Sequence, residues 1–349
     1  MDSLLSLLFR LCSFERDGFN PPDITKKTAS QLALLAAQNG VAGWLLDRLL
    51  VNYPDWPPTS LMRKRLLPSA HDALVRNAAM IGVVSRMSSV LRAGGVEPVL
   101  LKGLSLTRGY YPDPAMRSAS DIDILILNGD EVKASTLLQS DGAQPTRQRV
   151  STLNAIRNHL PPLLYRGLLL EIHRNLARHD VGRSAINDIA SHLTSSPYGY
   201  SVLDTEALFC HLAIHAASHY RRGATQVKYF VDIAMVMNSV VDPSRFMVTC
   251  RSIAPSAKSD IRWAAGLAVN LLPPAKAQAF ISAGVNPLKI TAANIDGRYR
   301  RFALFHIALY AAYVNFLTIF AIIRGGLGIF PTIRYVFSGR MARSNSGNK

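Results

Sequence analysis

The sequence predicts an α+β fold in which a small mixed sheet lies between an N-terminal and a C-terminal helical lobe. Three observations carry this. Residues 27–91 place apolar side chains at three- and four-residue spacing, as in "TASQLALLAAQNGVAGWLLDRLL" and "HDALVRNAAMIGVVSRMSSVLRAGG", the period of an amphipathic helix. Short apolar runs then take over, for "GGVEPVLLKG", "DIDILIL" and "LLLEIHRNL" have the brevity and bulk of strands. After residue 203 helical spacing returns in "DTEALFCHLAIHAASHYRR", "VKYFVDIAMVMNSV" and "SDIRWAAGLAVNLL".

Taken in order, the chain opens on "MDSLLSLLFRLCSF", where an acid at position 2 and Arg10 inside the apolar run make poor signal-peptide grammar and a good amphipathic helix. The first helical lobe is assigned to residues 1–92. The α+β core is assigned to 93–200: a turn and strand at "GGVEPVLLKG", a short helix at "SLTRGYY", a strand at "DIDILIL", a helix over 130–139, a polar stretch, and a strand at "LLLEIHRNL". The Ser/Pro/Gly-rich "LTSSPYGYSVL" reads as a turn closing that core. The C-terminal lobe is assigned to 201–340, with "NSGNK" as a frayed tail.

A chain of 349 residues buries a substantial core, and 49% hydrophobic with 18% charged residues excludes a wholly disordered or fibrous protein. The formal charge of +16 favours encounters with nucleotides, nucleic acid or an anionic membrane face, without specifying one. Cys12, Cys210 and Cys250 form no CxxC pair, which argues against a disulfide framework or a cysteine-rich zinc site and fits a reducing, cytoplasmic location. Phe302 to Ile323 carries no charged residue and is long enough to span a bilayer. Its His306, Tyr310 and Tyr313 fall at helical spacing, with Asn315 near the middle, so a buried helix is the preferred reading and membrane association the alternative.

The chemistry concentrates in "LLKGLSLTRGYYPDPAMRSASDIDILIL", residues 100–127. Alternation along a strand points Asp121 and Asp123 the same way while Ile122 and Ile124 face a core. Two carboxylates held that close repel each other, and the apolar layer beside them adds desolvation. A divalent cation resolves both costs, and Mg²⁺, bound by one or two carboxylates plus substrate phosphates, suits the element. Asp-x-Asp alone is common and also describes an exposed strand end. Lys102 and Gly103 end the preceding strand, where Gly103 lets backbone approach a phosphate, Ser105 adds a hydroxyl and Arg117 can clamp phosphate oxygens. The bland alternatives are a surface lysine, and a salt bridge from Arg117 to Asp113 or Asp121. Glu171 in "LLLEIH" supplies a third carboxylate on the strand face that also holds His173; its alternative is a pair with Arg174.

His211, His215 and His219 recur every four residues and share one side of a helix. A zinc-peptidase reading of His215 and His219 fails because Ala216 stands where the general base belongs. A contact of His215 or His219 with phosphate or acceptor fits better, with Lys228 supplying charge and Asp232 fixing an imidazole or capping the cleft; ordinary core histidines are the competing reading.

The combination of residues 100–127 with "LLLEIHRNL" and "HLAIHAASHYRRGATQVKYFVDIAMV" resembles the uncharacterised bacterial nucleotidyltransferase family, a branch of the DNA polymerase β-like superfamily. The shared features are Lys102-Gly103, Tyr111-Pro112 with Arg117, Asp121-Ile122-Asp123, Glu171-Ile172-His173, His215 and His219, and Lys228 with Asp232. The resemblance implies a polymerase β-like sheet and a metal-dependent transfer of a nucleoside monophosphate from a nucleoside triphosphate, ATP among the candidates, to an acceptor hydroxyl with release of pyrophosphate. Asp121, Asp123 and Glu171 would hold Mg²⁺, and Glu171 would also orient or deprotonate the acceptor. The superfamily usually has Gly-Ser or Gly-Gly closer to its acidic pair, whereas here Leu104 follows Gly103 and Asp121 comes eighteen positions later. The acceptor is open among a small molecule, a protein side chain and an RNA end. Two other readings stand beside this one: a non-catalytic nucleotide-binding module, and a membrane-associated enzyme of cell-surface polymer synthesis.

Overall fold

The computed structural model describes residues 4–15, 18–146, 160–176, 186–196, 199–221 and 225–289, all within the compact unit formed by residues 1–300. The apolar segment 302–323 and the tail lie outside the described residues. Among the described residues, no helix is long and apolar enough to cross a membrane.

The chain begins with helices α1 (Leu4–Leu11), α2 (Lys26–Gln38), α3 (Ala42–Asn52) and α4 (Thr59–Ala93). The Thr25 hydroxyl accepts the Thr28 amide to cap α2, and Gly40 at φ +70 makes the turn into α3. The long α4 continues through Pro68, a residue that ordinarily breaks a helix. Pro68 is exposed, so its ring and missing N–H fall on the solvent side.

Strand β1 (Pro98–Leu100) leads through α5 (Leu104–Gly109) and a 3-10 turn at Pro114–Met116 to β2 (Asp121–Ile126) and α6 (Glu131–Ser140). The remaining strands are β3 (Gln144–Pro145), β4 (Leu163–Tyr165), β5 (Leu168–His173), β6 (Leu193–Ser195) and β7 (Ser201–Leu203). Their order across the sheet is β3-β4-β5-β2-β1-β7-β6. The sheet is mixed: β2 with β5 and β1 with β7 are parallel, the other pairs antiparallel. The fold is therefore α+β. The segment "LTSSPYGYSVL" corrects the expectation of a plain turn, for it is a hairpin whose β7 joins the sheet beside β1. Its Ser, Pro and Gly content conceals short strands whose partner lies a hundred residues away. Arg166 and Gly167, at φ +51 and +80, form the two-residue turn that fixes β4 against β5.

Both faces of the sheet are covered. Ile122, Ile124, Ile126, Leu170 and Ile172 pack with Met80, Val84, Met87 and Leu91 of α4 and Leu138 of α6; each such side chain contributes about 1.5–3 kcal/mol through burial. Val99, Leu101 and Leu125 belong to the second core. That core also takes in the first three helices and the C-terminal helices α7 (Thr205–Arg221), α8 (Val227–Ser239), α9 (Pro243–Ile253), α10 (Lys258–Ala268) and α11 (Pro274–Ser282). The odd-numbered residues of β2, Asp121 and Asp123 included, lie on this second face.

Candidate functional site

The parallel register of β2 and β5 sets Asp123 beside Glu171 and Leu125 beside His173. Side chains of one parity share a face, so Asp121, Asp123, Glu171 and His173 form one polar group on strands whose other face is isoleucine and leucine. Asp123 is 1% exposed. His173 Nε2 lies 2.8 Å from its Oδ1, and Lys102 Nζ donates to its Oδ2 at 2.6 Å. Burial alone would raise the Asp123 pKa, but Lys102 and His173 outweigh it and hold the carboxyl well below its usual value. Burial opposes the Lys102 ammonium too, and there Asp123, Asp121 and Glu171 prevail and raise its pKa. His173 Nε2 is also 3.8 Å from Glu171 Oε2. Asp121, at the strand's first position, accepts from Ser120 Oγ at 2.9 Å.

Gly103 follows Lys102 at φ +69 and ψ −108, a conformation that glycine adopts without strain. Its carbonyl accepts the Thr107 amide and hydroxyl, which ties the turn to α5. Ser105, the next residue but one, has a buried hydroxyl without a hydrogen-bond partner among the described residues. A cavity of about 430 Å³ adjoins it, lined also by Arg108, Tyr110, Tyr200 and Glu206.

The seventeen-residue connection between Gly103 and Asp121 is anchored at several points. Arg117 donates through Nε and Nη2 to the two oxygens of Asp232 on α8, at 2.7 and 2.9 Å, and the Tyr111 hydroxyl donates to the same carboxylate at 2.8 Å. Arg117 is 5% exposed, and its guanidinium is thus committed to Asp232 rather than to either aspartate named from sequence. Asn77 of α4 donates to the carbonyls of Pro114 and Arg117. Gly43 of α3 brings backbone against backbone, since a Cβ there would stand 1.9 Å from the Ala115 oxygen. Asn77 and Gly43 carry no motif, and only the tertiary contact reveals them.

Helix α7 runs over the same face of the sheet. The His211 and His215 ring centroids are 6.3 Å apart, and those of His215 and His219 are 4.4 Å apart; Tyr229 of α8 packs on both of the latter. Burial, reinforced by Lys102 and His173, lowers the His211 pKa to about 3, and burial with Lys102 lowers that of His215 as well. His211 Nε2 is buried and has no partner among the described residues. Lys228 has its pKa lowered by burial and then by Arg117, while Asp232 and Asp121 act in the opposite sense. Its Nζ lies 5.7 Å from the Tyr229 ring centre.

Ligand atoms of Asp123, Glu171 and His173 lie within 4.8 Å of one another, so these side chains fit a metal ion. His173 is the residue that sequence left without a role; its acid-x-His spacing was the available signal, and the pairing of β5 with β2 supplies the reason for it.

Fold and site together describe an α+β protein with a buried, cation-paired carboxylate at the centre of its sheet. A profile of the uncharacterised nucleotidyltransferase family matches residues 25–254, and the chain belongs to that family. No curated protein matches it. A crystal structure of an antigenic nucleotidyltransferase-like protein from Paracoccidioides brasiliensis is similar over 52% of this chain and 91% of that one, at 15% identity and a TM-score of 0.30, a likeness too distant to bear on the site.

Proposed function

We propose that the chain moves a nucleoside monophosphate from a nucleoside triphosphate to an acceptor hydroxyl, on a polymerase β-like sheet and with a divalent cation, Mg²⁺ in the simplest case. Nucleotide transfer follows from the family. The observation that carries the mechanism is the pairing of Asp123 with Glu171 across two parallel strands, beneath Lys102. Asp123 and Glu171, with Asp121 on the same face, would hold the cation; once bound it would neutralise triphosphate charge and stabilise the entering and leaving oxygens.

The chain's own groups have separate tasks. Lys102, Gly103 and Ser105 grip the phosphates, and the ammonium turns from Asp123 to a phosphate oxygen as nucleotide arrives. Arg117, held by Asp232, fixes the connection that ends at Asp121 and adds positive charge behind it. Lys228, His215 and His219 line the approach from the helical lobe. Glu171 orients the acceptor and takes its proton as the acceptor oxygen bonds to the α-phosphorus; the bond from that phosphorus to the bridging oxygen breaks, and pyrophosphate leaves. The acceptor is sought first among small molecules, because the cavity beside Ser105 has the size of a small-molecule pocket.

The test is calorimetric titration of each nucleoside triphosphate into the purified chain with and without divalent cation, repeated with Asp121 and Asp123 both changed to asparagine. Metal-dependent binding that vanishes in the variant supports the reading and opens an acceptor screen for pyrophosphate release. A folded wild-type chain that binds none of the nucleotides overturns it, and metal-independent binding without turnover favours a binding module.

A further inference from the structure

The cavity of about 430 Å³ beside Ser105 has walls of unlike chemistry. Leu100, Leu104, Val202 and Leu208 give it an apolar floor, and Tyr110 and Tyr200 stand half-buried in its wall. The Tyr110 hydroxyl donates to Thr205 Oγ1 at 3.4 Å, and that of Tyr200 lies 2.9 Å from Ser85 Oγ, so both rings are tethered. The charged residues of the lining are Arg108, Asp204 and Glu206, two carboxylates to one guanidinium. Asp204 is already in use: it accepts the Ala207 amide at 2.8 Å, which caps α7, and lies 2.7 Å from His192 Nδ1. The half-buried Glu206 carboxylate has neither a hydrogen-bond partner nor an ion pair among the described residues. An apolar ligand would strip water from that carboxylate and return nothing, whereas an ammonium would return a charge-assisted hydrogen bond. The unpartnered Ser105 hydroxyl calls for a polar atom on the ligand as well.

Strand pairing sets this cavity at the end of the sheet where the phosphates are placed. Val202 of β7 pairs with Leu100 of β1, and the Leu101 amide donates to the Asp123 carbonyl, so the end of β7 and the start of α7 emerge beside Lys102 and Gly103. Helix α5 leaves directly from Gly103 and lends Leu104, Ser105 and Arg108 to the lining. Two strand spacings separate β7 from β2, about 10 Å, a distance that a small molecule bridges.

We propose that this cavity binds a small organic amine with an aromatic or otherwise apolar body, its ammonium on Glu206 and its body against Tyr110 and the apolar floor. A ring there gains from the tyrosine faces, as does the cation itself. A hydroxyl on the same molecule meets Ser105. The acceptor of the transfer is then an amino alcohol, a role that rests on the nucleotidyl-transfer reading; the binding of the amine does not.

The test uses probes of similar shape and different charge: tyramine, para-propylphenol and para-hydroxyphenylacetate. Each is titrated into the full chain without nucleotide or divalent cation and followed by ligand-detected magnetic resonance. At a formal charge of +16 the chain as a whole attracts the anion and repels the amine, so a preference for the amine reports the cavity. The expected order is tyramine first, para-propylphenol roughly tenfold weaker for want of one charge-assisted hydrogen bond, and no detectable binding of the anion. Glu206→Gln, which removes the charge and keeps the shape, brings tyramine down to para-propylphenol and leaves triphosphate binding unchanged. In the wild-type chain, equal binding of amine and neutral probe, preference for the anion, or binding of none of them overturns the inference whether or not the variant folds. Full tyramine affinity in a folded Glu206→Gln chain overturns it too. Amine selectivity that depends on Glu206 in a chain that binds no triphosphate upholds the site and removes the transfer. Triphosphate binding without amine selectivity does the reverse, and the transfer then has an acceptor of another class.

Discussion

Asp123 gives one carboxylate oxygen to His173 and the other to Lys102, so both oxygens are engaged before any substrate arrives. Changing Lys102 to Met therefore has opposite effects on two ligands. Divalent cation binds more tightly, because its competitor is gone, while nucleoside triphosphate binds about tenfold more weakly for want of one charge-assisted hydrogen bond. Parallel calorimetric titrations check this, and a variant weakened toward both ligands contradicts it.

The ion pair between Arg117 and Asp232 is enclosed by protein and shared with Tyr111. Asp232→Asn leaves a buried guanidinium without its counter-charge and is expected to destabilise the fold by about 3–5 kcal/mol in urea unfolding. Tyr111→Phe removes one hydrogen bond to a charged acceptor and costs about 1.5–3 kcal/mol.

At Gly43 the added methyl of alanine would meet backbone, the Ala115 oxygen, with no flexible side chain to yield. Gly43→Ala is expected to cost about 1–3 kcal/mol as an overpacking change. Because the same loop continues to Arg117 and Asp121, nucleotide affinity falls as well. Gly82→Ala, at an exposed helical position with open space around it, is the control, which leaves nucleotide affinity unchanged and raises stability by about 0.4–1 kcal/mol.

Acid destabilises the chain through its buried imidazoles. The folded pKa of His211 is about 3 against an ordinary 6.5, so between those values the unfolded chain carries a proton that the folded chain does not. Stability is full above pH 6.5 and falls as pH drops toward 3, with a slope of about 1.4 kcal/mol per pH unit for each such histidine. Urea unfolding between pH 7 and 5 measures the slope, and His211→Phe should reduce it by one proton's worth.

Much of this arrangement is legible in the amino-acid sequence itself. Period-two alternation in "DIDILIL" gives the common face of Asp121 and Asp123, and four-residue spacing gives the histidine face of α7. Both are local properties of one element. What stays hidden depends on which elements meet. That Asp232 belongs to Arg117 and Tyr111 follows from α8 crossing the connection, and no spacing encodes it. The hairpin of β6 and β7 escapes for the same reason, since its strand character comes from pairing with β1 rather than from its own residues.

The alignment of β2 with β5 has a consequence for how this chain tolerates change. Leu170 and Ile172 alternate with Glu171 and His173, so a slip of a single position would set Ile172 beside Asp123 and turn two polar side chains into the core against α4 and α6. The turn at Arg166 and Gly167 fixes β5 against β4, so such a slip would have to carry both strands together. Insertions are thus filtered by the oily side of the sheet before they reach the chemistry, and the working side inherits its accuracy from residues that never touch a substrate.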